Sequence, residues 1–155
     1  MAAFPYLLII HSWLRWLVLA TLILSLYRSW CGKRGGLPYT KTDHILRLST
    51  ATVAHLQLIA GIVLYFISPI TDYFMHHFSE AVHERQIRFF GMEHSLVMLL
   101  AITVLTIGSA KAKRKKTDAE KHRTVAVWYT IALLLILSSI PWAFSPLTAR
   151  PWIRW

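Results

Sequence analysis

"YLLIIHSWLRWLVLATLILSL", residues 6–26, is an apolar run interrupted by one cation, Arg15, and one titratable ring, His11. At about 1.5 Å of rise per residue it is long enough to cross a bilayer core of about 30 Å as a helix. The i, i+4 spacing puts His11 and Arg15 on one face of that helix, and neither group belongs in lipid. The stretch therefore calls for polar partners on other helices.

Three more stretches have the same length and character: 48–68, 89–109 and 124–144. The 155-residue chain is 55% hydrophobic with a mean hydropathy of +0.47, too apolar for a soluble domain of this size. The expected fold is all-α: a single membrane domain over 1–155, built as an up-down-up-down bundle of four transmembrane helices. Residues 6–26 have no basic residue before them and are too long for a signal core, so they are expected to remain in the mature protein.

The net charge of +10 is concentrated in two loops. Arg28, Lys33, Arg34, Lys41 and Arg47 fall between the first two spans, and Lys111, Lys113, Arg114, Lys115, Lys116, Lys121 and Arg123 between the last two. The opposite side has Arg85, Arg88, Arg150 and Arg154 against Asp72, Glu80 and Glu84. The positive-inside rule then places loops 28–47 and 111–123 in the cytoplasm and both termini on the opposite side of the membrane. The basic residues read as membrane anchors, and no nucleic-acid-binding motif accompanies them.

Within the loops, Gly35, Gly36 and Pro38 break the chain, and Thr42 or Asp43 is placed to cap the second helix. Thr117-Asp118 with Glu120 reads as a capping box opening the fourth. Small residues from Ser49 to Gly61 suit close helix packing in lipid. Trp128 and Tyr129 are expected in the inner aromatic belt, Trp142 and Phe144 in the outer one, with the tail "ARPWIRW" as a further anchor. The loop 69–88 reads as an amphipathic segment on the membrane surface. His76, Glu80 and His83 would share one face of it, a spacing that a surface metal site could use.

Depth estimates from the middle of each apolar stretch put His11 and His94 each roughly 8 Å outward of the midplane. They lie on the first and third spans, which are diagonal in a four-helix bundle with short loops. A haem b between them would gain two axial imidazoles, and Arg15 is a candidate partner for its propionates. Arg15 and Glu93 are a competing ion pair. His55 comes out roughly 5 Å and His122 nearly 18 Å inward, so a second haem between them requires mismatched depths to be reconciled. With one cysteine, Cys31, and no C-x-x-C-H motif, any haem is bound without covalent attachment. An intramembrane histidine also serves as a simple interhelical hydrogen-bonding residue, worth about 0.6 kcal/mol on average.

"HSWLRW" opening the first span, "AHLQ" in the second, "EH" opening the third, "TDAEKHRT" before the fourth and "IPW" at its end resemble the small four-helix membrane proteins of Bacteroidota labelled cytochrome b. The likeness runs along nearly the whole chain. It implies a b-type cytochrome passing electrons within or across the inner membrane, with ligands falling on His11, His55, His94 and His122.

The sequence has no nucleophile triad, phosphate loop or paired carboxylates, which argues for an electron carrier over a hydrolytic or group-transfer enzyme. Two other readings use the same residues. One is a haem-free accessory subunit of a larger membrane complex. The other is a quinone-binding protein in which His11, Arg15 and Glu93 hold the head group and relay its protons. A chain with so little mass outside the bilayer is expected to work with a larger respiratory complex under any of these readings.

Overall fold

A computed structural model describes residues 3–145, Thr148 and Pro151. Apart from Pro151, the tail "ARPWIRW" and its two arginines lie outside the described residues. The chain forms α1 (Ala3–Gly35), α2 (Lys41–Ile67), α3 (Pro69–His76), α4 (Phe78–Ala81), α5 (Arg85–Arg88), a π-helical turn over Phe89–Glu93, α6 (His94–Arg114) and α7 (Asp118–Ser139). Among the described residues, four helical segments, Ala3–Gly35, Lys41–Ile67, Arg85–Arg114 and Asp118–Ser139, are long and apolar enough to cross a membrane. The protein is an all-α membrane bundle.

α1 packs on α2 and α7, and α6 packs on the same two helices, so α1 and α6 occupy one diagonal as expected. Contacts between Arg28 and Asp43 at one end and His11 and Gln57 at the other make α1 and α2 antiparallel. The Gly108–Trp128 and His94–Ser139 contacts do the same for α6 and α7.

Helix ends obey local chemistry. α1 continues well past the apolar stretch and stops where Gly36 takes a φ of +60°, a left-handed conformation that glycine adopts without steric cost. The amide of Leu37 then donates back to the Gly32 carbonyl at 3.2 Å, closing the helix end. α2 is capped by Thr40, ahead of the expected Thr42 or Asp43. Asp43 instead occupies the third helical position, where Oδ2 accepts from the Thr40 amide at 2.8 Å. The box at Thr117 and Glu120 forms as expected, each side chain accepting from the other's amide at 3.3 Å.

α7 ends at Ser139 rather than at 144. Pro141 disfavours helical geometry at the preceding Ile140, which is extended at φ −72°, ψ 132°. The surface segment also differs from expectation. It breaks at His77 into α3 and α4, so His76 and His83 no longer share a helical face, and no three metal-binding side chains gather among the described residues.

The core cluster runs from Leu26 and Ala112 near the basic loops to Ile136 and Ile140 at the far end of α7. Leu22, Leu105, Val125 and Tyr129 are almost wholly buried within it. Tyr129 is not in an aromatic belt: its ring is in the core and its hydroxyl donates to the Arg47 carbonyl at 2.9 Å. Trp128 does face the helix surface, packed over Gly108 with Lys111 Nζ 4.5 Å from its ring.

Candidate functional site

The end of the bundle away from the basic loops is built differently. No residue of α1 from Ala3 to Leu17 is buried; its buried positions begin at Val18. The reason lies in the short fourth span. Trp142, just past the end of α7, meets Trp16 edge-on at 6.3 Å, so α7 gives out near Trp16 and α1 runs on beyond it. His11, Arg15, Gln57 and His94, all half-buried, lie at this end of the bundle.

His94 comes from the start of α6, directly after the π-helical turn. Such a turn inserts a residue into the helix and rotates the residues beyond it, a device common at functional sites. The turn is held from outside: Tyr65 donates to the Gly91 carbonyl at 2.8 Å, and Gly91 lies so close to the Phe74 ring that a Cβ there would stand 2.3 Å from it. His94 Nδ1 donates to the carbonyl of Ser139 at 2.8 Å. Ser139 is the last residue of α7, where carbonyls lack helical partners. Because a carbonyl can only accept, this bond fixes the proton on Nδ1 and leaves the lone pair on Nε2.

His11 faces α2. Its ring lies 3.2 Å from where a Cβ on Gly61 would be, so glycine there makes room for the imidazole. Gln57 Nε2 donates to the His11 main-chain oxygen at 3.0 Å and approaches ring Nε2 at 3.2 Å. His11 Nδ1 and Gln57 Oε1 are buried and make no hydrogen bond. His11, His94 and Arg15 lie within electrostatic range of one another. The Arg15 guanidinium lies 5.2 Å from the Trp16 ring centre.

The expected Arg15–Glu93 pair does not form. Glu93 Oε1 instead accepts from Arg88 Nε at 2.7 Å, because the π-helical turn brings Arg88 alongside. Nor does the structure bring His55 and His122 together. His55 is exposed on the groove between α2 and α6, its Nδ1 donating to Ala51 and its Nε2 3.2 Å from Thr106. His122 is only 1% exposed and is wedged between α1 and the first loop. Its ring packs against the backbone of Gly32 and against Tyr39, with Nε2 3.4 Å from the Pro38 carbonyl. The two rings belong to opposite faces of the bundle.

The residues around His11 and His94 fit a haem in two respects. Each ring offers a nitrogen lone pair, with His94 held in the required tautomer by its carbonyl partner, as histidine ligands commonly are. Arg15 supplies a cation beside them. Coordination through His11 Nε2 would leave Gln57 bonded to the main-chain oxygen alone. Gln57 is the member of the cluster that sequence reasoning misses; its one signal is its place in "AHLQ", two residues from His55. No protein-family model, curated protein or solved structure matches the chain.

Proposed function

We propose that the protein is a b-type haem-binding electron carrier of the bacterial inner membrane, with one haem held between His11 and His94 and the basic loops in the cytoplasm. The observation that supports it is that two imidazoles from diagonal helices lie within electrostatic range of each other and of Arg15, at the end of the bundle where α7 stops. Bound there, haem supplies one-electron oxidation and reduction. Ser139 holds the His94 tautomer, Arg15 offsets anionic charge, and α1, α2 and α6 keep water from the cluster. Glu93, engaged by Arg88, has no part in it, and His55 and His122 are left out of the ligand set.

The test is a reduced-minus-oxidised absorption spectrum of the purified protein, with its haem-to-protein ratio. A b-type band at a ratio near one, lost in His11→Ala and His94→Ala variants that keep their helicity, is the expected result. A wild-type protein without the band is instead a haem-free subunit of a larger complex. The carrier is expected to copurify with such a complex in mild detergent and to migrate with it on a native gel.

A quinone head group beside the same residues is the second reading, favoured by Gln57 Oε1. A buried acceptor without a donor suits a quinol hydroxyl. Under that reading Gln57→Leu impairs quinol binding and leaves any haem spectrum unchanged.

A further inference from the structure

At the basic end, Tyr39, Lys41, His44, Arg47, Lys113 and Lys121 surround a cavity of about 340 Å³, within the size range of small-molecule sites. The charge there is strongly unbalanced. Asp43 is taken by Arg28 at 2.7 Å, Asp118 by Lys121 at 3.3 Å and Glu120 by Lys115 at 3.5 Å. Among the described residues, Lys41, Arg47 and Lys113 form no ion pair.

Arg47 is the telling member. It is only 2% exposed, yet no carboxylate accompanies it. Nη1 donates to the main-chain oxygen and the Oγ of Ser109 at 2.9 and 2.6 Å, and Nη2 lies 3.3 Å from His44 Nδ1. None of these partners is a carboxylate, and an uncompensated buried cation is costly. Several donors of one sign converging on one cavity describe a site for a multiply hydrogen-bonding anion.

We infer that this cavity binds the phosphate of an anionic phospholipid headgroup. Its position selects the lipid over a free anion. Arg47 immediately precedes the apolar stretch 48–68, at the level where lipid phosphates lie. On the same helix, Ile45, Leu48, Ser49, Thr52 and Val53 line a mostly apolar groove of about 390 Å³ that extends toward the middle of the span, suited to an acyl chain. The site is separate from His11 and His94 and does not depend on haem.

The test uses the full chain in phosphatidylcholine nanodiscs, titrated with phosphatidylglycerol and, separately, with inorganic phosphate, with the thermal unfolding midpoint as readout. Phosphatidylglycerol is expected to raise the midpoint of the wild type. A Lys41→Ala/Lys113→Ala variant, both positions exposed, should need roughly 25-fold more of it for the same shift. Lys33→Ala/Arg34→Ala, which removes the same charge away from the cavity, should need far less extra lipid than the Lys41/Lys113 variant. An equal response to inorganic phosphate alone would overturn the lipid assignment and give the site to a free anion. Two double variants that behave alike, or a wild type indifferent to phosphatidylglycerol, would overturn the site altogether.

Discussion

His94 Nδ1 donates to the Ser139 carbonyl at 2.8 Å, and this bond joins the first residue of α6 to the last of α7. It satisfies a helix-terminal carbonyl, fixes the tautomer of the imidazole, and ties the start of α6 to the end of α7.

His94→Ala should therefore have two separable effects. Losing the donor leaves the Ser139 carbonyl without its partner and lowers stability by about 1–3 kcal/mol. On the proposed function it also abolishes the b-type absorption band. Adding a neutral imidazole ligand to the variant should restore the band without restoring the stability, read by absorbance and thermal unfolding together.

Gly32→Ala is expected to destabilise the protein by about 1–3 kcal/mol, through overpacking of a buried site. The new Cβ would stand 2.4 Å from the His122 ring, which is itself wedged in place. Gly35→Ala provides the contrast, since its nearest neighbour is the Leu37 side chain at 3.5 Å. An unfolding midpoint for Gly32→Ala equal to that of Gly35→Ala would contradict the packing described.

Thr117→Ala removes the hydroxyl that accepts from the Glu120 amide and should cost about 0.5–2 kcal/mol. The loss should show as faster amide exchange in the first turn of α7, with the turns around Tyr129 unaffected.

Cys31 is the single cysteine, and it is exposed near the basic end of α1. If the basic loops face the cytoplasm, a membrane-impermeant maleimide should label it in inverted vesicles and spare it in intact spheroplasts. Labelling in spheroplasts would reverse the proposed orientation.

Ser109→Ala tests the buried arginine. Arg47 would keep one main-chain acceptor and lose the hydroxyl at 2.6 Å, a charged hydrogen bond worth about 1.5–3 kcal/mol. A variant as stable as wild type would show that the hydroxyl contributes little to holding Arg47.

Residue order along the chain determined the four spans, their antiparallel order and the capping box at Thr117, because apolar length and local capping depend on neighbours a few positions away. It also brought His11 and His94 into view as a pair, since depth along a helix can be counted in residues. What counting could not supply is direction around the helix and the choice among partners. The π-helical turn before His94, the pairing of Glu93 with Arg88, the early end of α7 and the inward burial of Tyr129 and His122 depend on geometry that residue counting does not reach. His55 and His122 show the reason most clearly: composition made both intramembrane or near-membrane histidines, but only the packing of α1 and α6 against α2 and α7 put them on opposite faces.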